Sequence, residues 1–306
     1  MSGDRTVDDQ VFGLAFPGQG IKADVLREAL YRHRAHPLVL ELGRHFGTDD
    51  PRVLDFEDTF HAQPAIYATG VAEAERLPPG RRPALTLGHS LGELAAAATA
   101  GVIGVEDGFG LALKRGELCR GGNTRRPGAM AAVMGTDLAG IEWLRRRALG
   151  HTTGVLEVAG VNGRRQTVIS GDAGAVREAV RVAGGEGLLA EILPISGGFH
   201  SPLMNGVVPA WREAVNAVDF RVGDTPLVST VTAEVVTDPG EVRELLVRAL
   251  LMPVRWIDAV RTVRDEGVHH IRDAGPGTTL HKLGRREKIV RFTALEPQGE
   301  PEEAAT

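Results

Sequence analysis

Ala84-Leu85-Thr86-Leu87-Gly88-His89-Ser90-Leu91-Gly92-Glu93-Leu94-Ala95-Ala96-Ala97-Ala98 is the stretch whose reading decides the fold. Residues 84–87 are a short apolar run, which predicts a buried strand. Residues 93–98 are a string of strong helix formers. Between them lies Gly-His-Ser-Leu-Gly. Strand, sharp glycine turn and helix in that order are the signature of a parallel α/β sheet. Gly-x-Ser-x-Gly in that setting is a nucleophile elbow. The serine sits on a strained turn, so the residues two positions either side must be small. Its hydroxyl then projects from the top of the sheet. The helix behind it aims free N–H groups and partial positive charge at a developing oxyanion. The pentapeptide alone is as readily a plain glycine-rich turn; the strand before it and the helix after it favour a nucleophile at Ser90.

Upstream, residues 11–16 predict another buried strand, running into the tight loop Pro17-Gly18-Gln19-Gly20. Helical spacing follows over about 24–46 and again over 63–76. Residues 77–83, Leu-Pro-Pro-Gly-Arg-Arg-Pro, predict a turn. Downstream the pattern changes. Residues 129–134 read as a strand, 138–149 as a helix, and 155–161 and 166–170 as strands joined through Asn162-Gly163, a hairpin signal. Residues 173–183 read as a helix stopped by Gly184-Gly185, and 188–195 as a strand. This β-α-β-β-α-β order is the ferredoxin-like pattern. The expected organisation is a large α/β domain over 10–126 and 198–296, with a small domain inserted at 127–197. Further strands of the large domain are expected near 227–231 and 270–273. The tails, 1–9 and 297–306, are polar and predict disorder.

The bulk numbers narrow the function. The 306 residues suffice for a substantial core without staples. With 35 basic and 40 acidic residues the net charge is -5, which points to neither nucleic acid nor a membrane surface. The single cysteine, Cys119, excludes an intrachain disulfide and fits a reducing, cytoplasmic setting. Residues 1–10 lack the basic start and apolar run of a signal peptide. No stretch approaches 18 apolar residues, so no membrane span is expected. The histidines show no metal-ligand spacing.

Several segments together resemble one family. Gly88-His89-Ser90-Leu91-Gly92-Glu93 and Phe16-Pro17-Gly18-Gln19-Gly20 resemble the malonyl-coenzyme A:acyl carrier protein transacylases and the acyltransferase domains of polyketide synthases. So do Gln63-Pro64-Ala65, Lys114-Arg115-Gly116, Gly128-Ala129-Met130-Ala131-Ala132, Gly198-Phe199-His200-Ser201-Pro202-Leu203-Met204, Pro253-Val254-Arg255-Trp256 and Gly275-Pro276-Gly277. They run in the family's order across nearly the whole chain. The resemblance implies an α/β fold with a hydrolase-like parallel-sheet core and an inserted ferredoxin-like small domain. It implies Ser90 as nucleophile and His200 as its base, with the backbone N–H groups of Gln19 and Leu91 as the oxyanion hole. Arg115 is then the clamp for a malonyl carboxylate, since a guanidinium offers two parallel hydrogen bonds that lysine cannot copy. His89, Phe199 and Asn162 are expected among the substrate-binding residues. Phe199 before the histidine resembles the malonyl-selecting form of the motif.

The implied reaction moves malonyl from coenzyme A to the phosphopantetheine thiol of an acyl carrier protein through acyl-Ser90, without metal or redox cofactor. The expected protein is a monomer that docks an acidic carrier on a basic face, either 145–147 or Arg285-Arg286 with Lys288. The alternatives are transfer of another acyl group between carriers, hydrolysis of acyl carriers with water replacing the thiol, and a catalytically dead binding module. The chain departs from the family at Ile21-Lys22, where Ser-Gln is usual, and at Ala249 and Met252, where a glutamine and an asparagine are often found. The glutamine's carbonyl orients the histidine in the family, and the carbonyl of Ala249 is expected to replace it.

Overall fold

Four consecutive buried residues form β1 (Gly13–Phe16), an inner strand of the larger of two sheets. The computed structural model describes residues 11–295, so the tails expected to be disordered lie outside the described residues. After β1 come α1 (Ala23–Arg32), α2 (Pro37–Phe46), α3 (Thr59–Ala74), β2 (Leu85–Gly88), α4 (Gly92–Thr99) and α5 (Val105–Arg125). A second set follows: β3 (Gly128–Met134), α6 (Leu138–Leu149), β4 (Leu156–Gly163), β5 (Gln166–Asp172), α7 (Ala173–Gly185) and β6 (Leu189–Ile192). The chain closes with α8 (Val208–Asn216), β7 (Leu227–Val228), β8 (Val235–Val236), α9 (Pro239–Arg248), α10 (Trp256–Asp265), β9 (His270–Asp273), α11 (Thr279–Glu287) and β10 (Arg291–Ala294).

The six-stranded sheet has the order β10-β9-β1-β2-β7-β8 and is parallel except for the β7–β8 pair. β1 and β2 lie side by side in register, Phe16 opposite Gly88, so the loops leaving both strands emerge together. The four-stranded sheet, β4-β5-β3-β6, is antiparallel throughout and has its own core with α6 and α7 around Ile141, Leu144, Ile169 and Val176. The two parts are stitched together. Val161 N–H donates to the Val254 carbonyl (2.8 Å) and Val254 N–H to the Ala159 carbonyl (2.9 Å). Arg164 pairs with Glu287 at 3.1 Å. No helix among the described residues is long and apolar enough to cross a membrane.

Four local expectations are corrected. The helical spacing over 24–46 resolves into two helices, because Pro37 lacks the N–H needed to continue one; it starts α2 instead, and the His36 ring accepts the Leu38 N–H. Helix α3 begins before residue 63, where the Asp58 carboxylate accepts the Phe60 N–H (2.9 Å) and caps it. The β4–β5 turn lies at residues 164–165, not at Asn162-Gly163; the ladder runs on through those residues with a register shift that absorbs them. Helix α7 runs through Gly184-Gly185 and is stopped by Gly187, which takes the left-handed φ of 71°.

Candidate active site

The elbow is assembled by steric exclusion. Ser90 has φ 55°, a left-handed conformation that costs a non-glycine residue about 1–2 kcal/mol. A Cβ on Gly88 would lie 2.0 Å from the Gly92 carbonyl carbon, and one on Gly92 would lie 2.2 Å from the Phe16 carbonyl oxygen. Both contacts are with backbone, so no side-chain rotation could relieve them. His89 N–H donates to the Phe16 carbonyl (2.8 Å), which ties the end of β1 to the elbow. Gly18 packs against the other side, where a Cβ would lie 2.6 Å from the His89 carbonyl oxygen and 3.5 Å from Ser90 Cβ, so the loop after β1 runs close beside the elbow. Among the described residues the main-chain N–H groups of Gln19 and Leu91 are not spent on the backbone ladder.

His200 meets Ser90 across 110 residues of chain, with Nε2 2.6 Å from the serine Oγ. Its other nitrogen, Nδ1, lies 2.9 Å from the Met252 carbonyl. A carbonyl can only accept, so Nδ1 carries the hydrogen and Nε2 presents its lone pair to the serine hydroxyl. The expectation that Ala249 orients the ring is corrected here. Helix α9 ends at Arg248, and the turn after it swings the Met252 carbonyl into place; the Ala249 carbonyl is a secondary acceptor. His200 also has a left-handed φ, 56°, and its N–H donates to the Leu250 carbonyl (3.2 Å). Two strained residues therefore face one another, each held by surrounding hydrogen bonds.

Arg115, from the middle of α5, is only 5% exposed and still reaches the site. Its Nη2 donates to Ser90 Oγ (3.2 Å) and its Nη1 to Gln63 Oε1 (2.9 Å). Gln63 in turn donates from Nε2 to Gln19 Oε1 and to Thr59 Oγ1, both at 3.0 Å. Thr59 also donates to Gln19 Oε1 (2.8 Å). One glutamine thus ties the guanidinium to the loop that carries the Gln19 N–H. Sequence reasoning quoted Gln63 as a motif residue and gave it no place in the site. Its signal was available: it is a lone amide in a stretch of α3 that is otherwise apolar and buried on all sides.

His89 points away from Ser90. Its Nε2 lies 2.9 Å from Asn162 Oδ1 on β4, and its ring packs against Trp256. This hydrogen bond joins the two sheets at the site. Gln19, His89, Ser90, Arg115, Asn162, Phe199 and His200 all line one cavity of about 200 Å³. Leu91, itself buried, is the one member of the expected set that does not line it. Met130 and Val168 from the four-stranded sheet, with Leu193 and Ile195 from the segment just after its strand β6, give the cavity an apolar face, and Leu280 and Leu283 of α11 flank it.

Burial sets the protonation states. The His200 imidazole is pushed down to about 3, first by burial and then by the Arg115 charge, with the Met252 carbonyl opposing. Burial likewise lowers His89 and Arg115 and raises the Cys119 thiol. An anion placed on Arg115 would offset the second influence on His200 and return basicity to it. The arrangement is therefore a neutral, oriented base on a serine, beside a buried cation that can take a carboxylate.

The sequence model described as acyl transferase domain matches residues 23–286 of the chain. The malonyl CoA-acyl carrier protein transacylase of Bacillus subtilis is 32% identical over 289 residues, covering 90% of this chain and 91% of that one. Among solved structures, the malonyl CoA-acyl carrier protein transacylase of Coxiella burnetii superposes with a TM-score of 0.83 at 27% identity, over 94% of both chains. A malonyl-transacylase in complex with its type II polyketide synthase acyl-carrier protein has a TM-score of 0.82 at 27% identity, over 93% of this chain and 95% of that one.

Proposed function

The chain belongs to the acyl transferase domain family, and from that premise we propose that it moves malonyl from coenzyme A to an acyl carrier protein through malonyl-Ser90, in fatty-acid or polyketide synthesis. The observation that carries the reading is the contact of Ser90 with both His200 (2.6 Å) and Arg115 (3.2 Å), which puts nucleophile, base and carboxylate clamp within one acyl group's reach.

The malonyl carboxylate takes Arg115 by two parallel hydrogen bonds and displaces the guanidinium from Ser90. Its charge offsets that of Arg115 and strengthens His200 as a base. Ser90 Oγ attacks the thioester carbon as its proton passes to His200 Nε2, and the imidazolium is held by the Nδ1–H bond to Met252. The tetrahedral oxyanion rests on the N–H groups of Gln19 and Leu91, each worth about 2.7–4 kcal/mol in the transition state. The carbon–sulfur bond breaks and coenzyme A leaves with the proton from His200. The carrier's phosphopantetheine thiol then attacks the ester, again with His200 as base, and Ser90 is regenerated. Both thioester exchanges are redox-neutral, so the reading calls on no metal or redox cofactor.

His89, Asn162 and Phe199 shape the pocket in this reading, Phe199 beside the acyl group. The two parts of the fold serve as a hydrolase-like core over 10–126 and 198–296 and a ferredoxin-like insert over 127–197. Of the two candidate docking faces, that on α11 is favoured. Arg145 pairs with Glu142 and Glu157, and Arg146 with Glu142, which offsets two of the three charges at 145–147. Arg286 instead reaches Gln166 (2.8 Å) at the cavity rim, beside Arg285 and Lys288. We read the protein as a cytoplasmic monomer.

Incubation with malonyl-coenzyme A and intact mass spectrometry test the proposal. A malonyl adduct that disappears in Ser90→Ala and passes to an added holo-carrier protein is expected. Rapid loss of the adduct to water without a carrier would replace transfer by hydrolysis, and no adduct would overturn the reading.

A further inference from the structure

Among the buried acids that the mechanism leaves unused, one stands beside the nucleophile. Glu93 stands in the first turn of α4, three residues after Ser90, and is 3% exposed. Its Oε1 lies 2.8 Å from the Thr230 N–H, 3.0 Å from Thr230 Oγ1 and 3.4 Å from Ser229 Oγ. Its Oε2 is buried with no partner among the described residues. Thr230 follows β7, the neighbour of the strand that ends in the elbow, and its Oγ1 also lies 3.0 Å from the Gly88 carbonyl.

A proton count makes this cluster informative. The Thr230 hydroxyl has a single hydrogen and stands at equal distance from two acceptors. If Glu93 is ionised, the hydroxyl must choose between its carboxylate and the Gly88 carbonyl, and a charged acceptor wins. If Glu93 carries a proton, the carboxyl can donate to Thr230 Oγ1 while Thr230 donates to Gly88. The Thr230 hydroxyl then no longer has to choose between two acceptors, and the Gly88 carbonyl at the base of the elbow is held from below.

We propose that Glu93 is a positioning residue for Ser90: in its protonated form it frees the Thr230 hydroxyl to hold the Gly88 carbonyl, and a carboxylate bound at Arg115 favours that form. Burial is the main influence keeping the proton on Glu93, raising the carboxyl to about 7; the bonds from Thr230 and Ser229 and the Arg115 charge oppose it. Arg115, on α5, is the charged group that acts on Glu93, while the turn after β7 presents neutral hydroxyls. His89 and His200 are held neutral by burial, and burial keeps the Cys119 thiol protonated. An anion on Arg115 removes part of what favours the Glu93 carboxylate. Acyl recognition and elbow geometry are thereby coupled, a link that rests on the malonyl reading.

The test compares kcat and KM for Ser90 loading by malonyl- and acetyl-coenzyme A, from about pH 6 to 8.5, in the parent, Glu93→Gln and Thr230→Val. The raised acid gives the sign: Glu93 loses its proton as pH passes about 7, so parent kcat falls several-fold above it. The fall should come at higher pH with malonyl than with acetyl. Glu93→Gln should flatten that limb. Thr230→Val should lower kcat about tenfold for both acyl groups with little change in KM. Asp273, raised by burial to about 7 and accepting from the Gly275, Leu280 and His281 N–H groups, is common to all three proteins, so the parent-minus-variant difference isolates Glu93. An identical pH profile in the parent and Glu93→Gln, or an unchanged kcat in Thr230→Val, overturns the proposal. If Glu93→Gln does not fold, Thr230→Val and its rescue by Thr230→Ser decide alone. A parent that loads acetyl but not malonyl overturns the malonyl reading, and with it the coupling; the elbow contact is then judged on acetyl.

Discussion

The six-stranded part of the molecule gives the cavity Ser90, His200 and Arg115, two of them on left-handed backbone and all tied by hydrogen bonds, whereas the four-stranded part gives it mostly apolar side chains. The contrast extends to packing. Around the elbow, backbone touches backbone and one methyl group is too many. Opposite it, Met130, Val168, Leu193 and Ile195 meet open space on one side. The lesson is that chemistry here depends on enforced backbone geometry, while the facing wall decides what fits. Substitutions in the first region should therefore act on kcat or folding, and those in the second on KM.

The sharpest way to break the contrast is Gly92→Ala. The new Cβ would need to occupy space 2.2 Å from the Phe16 carbonyl oxygen, with no side chain to yield. We expect a loss exceeding about 4 kcal/mol, seen in chemical denaturation as an unfolded or markedly weakened protein. A variant of near-parent stability would show that the elbow can relax and that the contrast is wrong.

Arg115→Lys comes next and tests chemistry without sterics. Lysine keeps the charge and loses the two-pronged geometry. Malonyl loading should fall about 100-fold in kcat/KM, some 2–3 kcal/mol, and acetyl loading much less. Equal losses for the two acyl groups would mean that Arg115 serves Ser90 and not the substrate.

Met130→Ala probes the wall. The side chain is 6% exposed and lines the cavity, so its removal enlarges a space that already exists. The stability cost should fall at the low end for such truncations, about 2 kcal/mol by thermal unfolding. KM should rise several-fold at nearly constant kcat. A large fall in kcat would place catalytic positioning in the four-stranded sheet as well.

What could be read from the amino-acid sequence follows the same division. Ser90 was legible because steric exclusion at Gly88 and Gly92 leaves a pattern in residue types, whereas His200 and Arg115 were legible only through the resemblance of their segments to the family's motifs. Main-chain roles left no such pattern. Met252 replaced Ala249 as the acceptor for His200 because a carbonyl belongs to every residue, and only the turn after α9 decides which one arrives. Gln63 and Glu93 were visible as polar residues in apolar helices, yet their partners, Gln19 and Thr230, lie 44 and 137 residues away. The β4–β5 turn was misplaced because Asn-Gly is a local signal, and the register shift that moved it is set by pairing across the sheet.

Asn162 is where the two regions touch, and it carries the smallest expected effect. With Asn162 Oδ1 accepting, His89 Nε2 carries the hydrogen, and the ring is neutral because burial lowers it. Asn162→Ala removes the acceptor and leaves a buried N–H facing the cavity, where water can partly replace it. The cost should be about 1 kcal/mol in stability, with a KM change of only a few-fold. Asn162→Asp keeps the acceptor and adds a charge. A carboxylate at this point raises His89 towards its ordinary value and repels an incoming malonyl group, so malonyl KM should rise with pH while acetyl KM stays level. If both substitutions leave malonyl KM unchanged, the cross-sheet bond holds the two parts together without taking part in what the pocket selects, and the border between chemistry and wall runs along the elbow itself.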